Sequence, residues 1–167
     1  FKETNKIEFM SKTASPIIIM HMQKQPKNMQ VNPKYSCAPI DIYKFFSKKI
    51  IDLVDAGIKK SNIVVDPGIG FGKTLSDNLN IFKYLPLFHG LGVPILIGAS
   101  RKSLISDLII HDYKLRGKNK KKIIPSKRLS GSIAFAIHAN MSGVQILRTH
   151  DVFETNQALI CQKSLDL

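Results

Sequence analysis

The chain has 167 residues, 44% of them apolar, with 25 Lys and Arg against 12 Asp and Glu for a net charge of +13. That is enough chain to bury a sizeable core and too apolar for a disordered tail, while its apolar runs fall far short of the ~20 residues a membrane helix needs. The basic balance suits anionic ligands, either nucleic acid or phosphorylated metabolites, but a chain rich in Lys, Ile and Asn also acquires it by compositional drift.

The opening FKETNKIEF carries charges where a secretory leader would be apolar, and a first residue other than Met predicts a further upstream segment. Cys37 and Cys161 are too few for a disulfide framework and fit a reducing cytoplasm. The first apolar run, Pro16–Met20 (PIIIM), is brief and continuous rather than alternating, as in a strand buried on both faces of a parallel sheet. A Pro-, Lys- and Asn-rich loop then leads to a helix over Ile40–Ala56, with Ile40, Tyr43, Phe46, Ile50, Leu53 and Val54 at helical spacing and Gly57 as its stop. A second strand, Ile63–Val65, precedes a helix over Ser76–Phe88 with Ser76 as N-cap and Leu79, Phe82 and Leu85 on one face. The third run, Pro94–Ile97, is followed by helices over Ser100–Ile110 and, beyond a basic linker, Ser130–Met141. The fourth, Val144–Leu147, leads to Val152–Lys163, where Asp151 and Glu154 have the spacing of a capping box.

Strand and helix thus alternate four times, the signature of an α/β fold with parallel strands. A (β/α)8 barrel of the TIM type offers such strands with polar residues at their C-terminal ends, but takes ~250 residues. Four units fill this chain, which therefore amounts to half a barrel or a small open sheet.

The strand tails hold the chemistry. Asp66 directly follows IVV and would aim a carboxylate at the mouth of the sheet, while the glycines of Gly68–Gly72 let backbone approach a ligand closely; the bland reading of Asp66 is a helix cap. Gly68–Thr74 is one residue too short between its glycines for a Walker A loop. Arg101 and Lys102 sit in the first turn of the third helix, where positive charge opposes the macrodipole, so a ligand requirement is one explanation. Arg148 and His150 are two apart and face one way if the strand continues through them, which suits a phosphate or diphosphate. His21, closing the first run, reads as a satisfied structural histidine. Lys114–Lys122 (KLRGKNKKK) places six basic residues in nine without apolar periodicity. It reads as a solvated loop, since a nucleic-acid contact would call for interleaved aromatics.

Four blocks in order, PIIIMHMQKQPKNMQ, IVVDPGIGFGKT, PILIGASRKS and RLSGSIAFAIHANMSGVQILRTHDVFETNQAL, resemble the dihydropteroate synthases of the pterin-binding family from Ser15 to about Leu159. The resemblance implies a (β/α)8 barrel of which only about four C-terminal units are present, with residues 1–167 as a partial pterin-binding domain and 111–122 as a basic loop insertion. Nothing matches the family's first half, including its Asn-containing loop, so the metal ligands of the implied Mg²⁺ are unknown in this chain. Lys24 stands where the family often has Gly.

By the same resemblance, Asp66, Lys102, Met20, Phe71, Gly98 and Arg148 would bind the pterin. Gly70, Phe71, Lys102 and Ser103 would border the aminobenzoate (and sulfonamide) pocket, and Arg148, Thr149 and His150 would hold the diphosphate. The implied reaction condenses 4-aminobenzoate with hydroxymethyl-dihydropterin diphosphate, by positioning and leaving-group electrostatics without a covalent nucleophile. A cytoplasmic enzyme, a homodimer and poor turnover by this chain alone are further expectations. A pterin-dependent methyltransferase is the alternative enzyme, favoured less because ASRKS and RTHDVFET read as aminobenzoate and diphosphate elements. A basic nucleic-acid module through Lys114–Lys122 and a half-barrel that pairs with another chain rank below it.

Overall fold

The computed structural model describes residues 15–165, so the reading of FKETNKIEF lies outside the described residues. Strands β1 (Ile17–Met20) and β2 (Ile63–Asp66) pair in parallel, as do β3 (Leu96–Ile97) and β4 (Ile146–Leu147). A parallel bridge between Val65 and Ile95 joins the pairs into one row in chain order. Five helices connect and follow them: α1 (Ala38–Asp55), α2 (Leu75–Lys83), α3 (Ser103–Leu115), α4 (Leu129–Met141) and α5 (Val152–Leu165).

The row has two faces because strand side chains alternate. Ile63, Val65, Ile95 and Ile97 join Ile42, Phe46, Ile81, Phe88 and Leu104 in one apolar core beneath the helices. The other face carries Ile18 and Met20, Val64 and Asp66, and Leu96, with Ile146 opposite Leu96. Burial on both faces holds for β2 and β3 but not for the outer strands, a correction to the sequence reading. Ile18 is 58% exposed, Met20 37% and Ile146 37%, because no element among the described residues covers that side of β1 and β4.

Helix boundaries follow local chemistry. Asp41 in the first turn of α1 accepts the Ser36 and Cys37 amides at 2.9 and 3.2 Å. At its end Gly57 adopts φ 88°, as its expected role as a stop requires. The second helix is capped by Thr74, not Ser76: Thr74 Oγ1 accepts the Asp77 amide while Asp77 accepts the Thr74 amide, a capping box. It also ends at Lys83 rather than Phe88, since Pro86 sits in the tighter 3-10 turns of Leu85–Leu91.

The third helix starts at Ser103, three residues later than expected. Arg101 has a left-handed φ of 57° and Lys102 is extended, so both basic residues lie in the turn before the helix. Its last turn reaches Leu115 and takes in the first residues assigned to the basic loop 111–122. Asp151 precedes α5 as expected, but its carboxylate is engaged by Arg101, so the capping-box reading with Glu154 is replaced by an ion pair. Its backbone carbonyl accepts the Thr155 amide and hydroxyl. Both cysteines are free and exposed, and among the described residues no helix is long and apolar enough to cross a membrane.

Candidate functional site

The C-terminal ends of four parallel strands meet along one edge, the place where α/β folds hold ligands. Asp66 closes β2 and is only 5% exposed, on the open face of the row beside its register partner Met20. It is no helix cap. Its Oδ1 accepts the Gly68 amide at 2.8 Å, which turns the chain into the glycine loop. Burial raises the Asp66 pKa, opposed by that amide and by the charges of Arg148, Lys102 and Lys73.

Gly68 is required by a close approach. With φ 71°, a Cβ there would stand 2.0 Å from the His21 carbonyl oxygen. The loop beyond it bears Phe71, whose ring lies 3.9 Å from Lys102 Nζ in a cation–π contact. A Cβ at Gly70 would meet Lys102 Cδ at 3.5 Å, so Gly70, Phe71 and Lys102 share one wall. Lys102 has its pKa lowered, by burial first and then by Arg148, with Asp66 opposing.

Gly98 and Arg148 extend the β3–β4 register by one step, and the Arg148 amide donates to Ile97 at 2.9 Å. A Cβ at Gly98 would meet the Arg148 guanidinium at 2.8–3.2 Å, so the glycine leaves room for the planar group to lie over the strand. His150 does not continue the strand with Arg148, a second correction. It sits in the following loop, its Nδ1 2.9 Å from Ser100 Oγ, which also accepts the His150 amide at 3.1 Å. Thr149 Oγ1 faces Thr155 Oγ1 at 3.1 Å and accepts the Asp151 amide, so only the Thr149 backbone is available to a ligand of this edge.

The edge therefore unites Asp66, Lys102, Phe71, Gly70, Gly98 and Arg148, with His150 alongside. Ser103 is exposed at the first position of α3. Arg101 is not free to meet an anion: its guanidinium makes a two-pronged ion pair with Asp151, which holds that carboxyl below its usual range. Among the described residues no three His, Cys, Asp or Glu side chains converge on a metal position. The carboxylate of this edge, Asp66, feels three cations, so the described residues do not fit an Mg²⁺ site.

Sequence reasoning missed four supports of this edge. Lys73 is buried, with its Nζ on His21 and on the backbone of the glycine loop. Ser100 anchors His150. Buried Arg128 donates to the Arg101 carbonyl at 2.8 Å, and Ser132 Oγ accepts the Arg101 amide at 2.9 Å, fixing the turn that presents Lys102. Each is a polar residue without periodicity; the one available signal was a lysine closing a glycine-rich loop. His21 is the satisfied structural histidine expected of it, edge-on to Phe45 at 5.0 Å between ring centres. Lys24 adopts φ 63°, keeping a conformation natural to glycine.

Residues 1–150 match the family model described as pterin binding enzyme. The dihydropteroate synthase of Escherichia coli is 40% identical over 157 residues, covering 94% of this chain and 51% of that protein. The crystal structure of Yersinia pestis dihydropteroate synthase with a sulfonamide drug complex superposes with a TM-score of 0.87 at 39% identity, over 99% of this chain and 56% of the other. The enzyme from Xanthomonas albilineans in complex with 7,8-dihydropteroate gives 0.82 at 30% identity, over 99% and 56%. The chain spans about half the length of the curated relatives it matches. The four strand–helix units are those of a (β/α)8 TIM-type barrel.

Proposed function

The chain belongs to the pterin binding enzyme family, and from that premise we propose that it carries the pterin, aminobenzoate and diphosphate elements of a dihydropteroate synthase. One observation carries the reading: a buried carboxylate, Asp66, stands at a strand end among Lys102, Arg148 and the Phe71 ring. A pterin is flat, offers paired N–H donors on one edge and presents two π faces. Asp66 would accept the donor pair. Arg148, laid over Gly98, would cover one face, and Met20 and Phe71 would border the ring. Lys102 would donate to the pterin carbonyl edge from the wall it shares with Gly70 and Phe71, the side on which the aminobenzoate (with Ser103) would sit.

In the proposed reaction the arylamine nitrogen forms a bond to the pterin methylene as the bond from that carbon to the diphosphate oxygen breaks. The amine loses one proton and diphosphate departs. Arg148, the Thr149 backbone and His150 would stabilise the leaving charge, their donors held in place by the strand and the loop that follows it. The relatives' sulfonamide and 7,8-dihydropteroate complexes support this substrate class. The implied Mg²⁺ finds no ligand set among the described residues, so the charge stabilisation proposed here comes from side chains and backbone. A cytoplasmic location and a homodimer belong to the same proposal.

Calorimetric titration of the chain with 6-hydroxymethylpterin tests it. Wild type should bind and Asp66→Asn, which replaces one acceptor oxygen with a donor, should lose about a hundredfold in affinity, about 3 kcal/mol for a buried charged hydrogen-bond pair. Equal affinity of the two proteins would refute the assignment.

A further inference from the structure

We propose that Lys73 is a positioning residue for the pterin site, a latch that holds the glycine loop bearing Phe71 against the chain leaving β1 and thereby sets where Asp66 and Phe71 face a ligand. The proposal rests on the pterin reading above and goes beyond it, since Lys73 itself touches no ligand position.

Lys73 is 4% exposed. Its Nζ lies 3.3 Å from the His21 carbonyl, 3.0 Å from that of Gly68 and 3.0 Å from that of Phe71. An ammonium has three hydrogens, and three backbone carbonyls receive them. His21 Nδ1, at 3.1 Å, is a fourth acceptor on the same atom. Two of the carbonyls belong to the glycine loop and one to His21, so a single side chain carries the tie between β1 and β2 past the last ladder bond, from the His21 amide to the Asp66 carbonyl at 2.9 Å.

The same loop is held from outside by weaker ties. Gln30 donates to the Gly70 carbonyl at 2.6 Å and Tyr35 to that of Gly72 at 2.8 Å, while Asn78 Oδ1 accepts the Gly70 amide at 2.8 Å. Gln30 is exposed and Tyr35 half-buried, so water can replace the first of these at little cost. Nothing replaces Lys73. Removing its ammonium leaves the buried His21 carbonyl without its donor and the Gly68 carbonyl beside it with only the Phe71 amide at 3.0 Å. The loop must then shift, and Asp66 is bonded to that loop through the Gly68 amide. Phe71 would move with it and release Lys102 from the face of its ring.

The test compares wild type, Lys73→Met and Lys73→Arg in the 167-residue chain. Affinity for 6-hydroxymethylpterin is read by calorimetry, and hydrogen exchange of the Gly68, Gly70 and Phe71 amides by NMR. Lys73→Met should weaken pterin binding at least tenfold and speed those three amides at least tenfold more than core amides of α1. Lys73→Arg, which keeps donors at the site, should recover most of both losses. Should Lys73→Met not fold, Lys73→Gln, which keeps amide donors but fewer of them and no charge, takes its place and should speed the same amides severalfold. The proposal is overturned if Lys73→Met keeps wild-type affinity and loop exchange, if Lys73→Arg is no better than Lys73→Met, or if Lys73→Gln, used in its place, leaves the amides unchanged. If the wild-type chain binds no pterin, the pterin reading fails, and with it the ligand half of this proposal, while the exchange data still decide whether Lys73 fixes the loop.

Discussion

His21 should make the fold acid-sensitive well above the range in which carboxylates titrate. The ring is 8% exposed, packed between Phe45 and Tyr35, with its Nδ1 accepting from Lys73 at 3.1 Å. Burial first, and the Lys73 charge second, lower its pKa from 6.5 to about 4. The unfolded chain therefore takes up a proton from pH 6.5 downward while the folded chain does so only near pH 4. Stability from this residue is complete above 6.5 and is lost as the pH falls towards 4. A shift of this size corresponds to about 3 kcal/mol over the window, of which about 2 kcal/mol is gone by pH 5. Asp66 works in the opposite sense, since its raised pKa lets the folded state hold a proton earlier than the unfolded one. Comparison with His21→Phe cancels that contribution. Phenylalanine suits the aromatic surroundings, and Lys73 keeps its three carbonyl acceptors. Urea unfolding at pH 7, 6, 5 and 4 should show wild type losing about 2 kcal/mol more than His21→Phe between pH 7 and 5. Parallel curves within about 0.5 kcal/mol, or an NMR titration placing His21 near its ordinary 6.5, would refute the reasoning.

Two further substitutions probe the loops around the edge. Gly68→Ala forces a side chain into a left-handed conformation and drives its Cβ to 2.0 Å from the His21 carbonyl. The conformational cost alone is about 1–2 kcal/mol, and the clash adds to it. Urea midpoints should fall by at least that much, and an unchanged midpoint would disprove the close packing of the two loops. Lys24→Gly acts the other way. It relieves a φ of 63° that a side chain rarely adopts, at the loss of an exposed contact from Nζ to the Val31 carbonyl. Its midpoint should match or exceed that of wild type by up to about 1 kcal/mol, and a clear loss would show that the lysine contact matters more than the strain.

All four strands were legible because short Ile- and Val-rich runs have few other uses, and each lies within two residues of its expected place. Helix starts were less so. Thr74 and Ser76 are both acceptable caps in isolation, and only the reach of Asp77 back to Thr74 decides between them. The late start of α3 depends on Arg101, whose left-handed turn is held by Ser132 and Arg128 about 30 residues away, a constraint that no local pattern encodes. For the same reason a ligand requirement is only one explanation of Arg101 in the sequence, and the structure gives its guanidinium to Asp151. Asp66, Lys102 and Arg148 were readable because each directly follows a strand or the turn after one. Lys73 was not, since its partners are mainly backbone carbonyls, which leave no mark on the residues around them.

The net charge of +13 takes on a narrower meaning at this edge. Lys114–Lys122 carries six of the basic residues on an exposed segment that runs on from the last turn of α3. Three others, Lys73, Lys102 and Arg148, act on one buried carboxylate. Lys102 has its pKa lowered, by burial first and then by the charge of Arg148. An arriving diphosphate acts on the second of these causes. On the proposed reading, its negative charge beside Arg148 would offset that cation's effect and raise the Lys102 pKa, while burial continues to hold it down. A neutral pterin would not have this effect. On the proposed reading the edge favours a pterin that carries its leaving group, and because its binding draws a proton onto Lys102, affinity for the diphosphate ester should exceed that for the free alcohol by more at pH 7 than at pH 9.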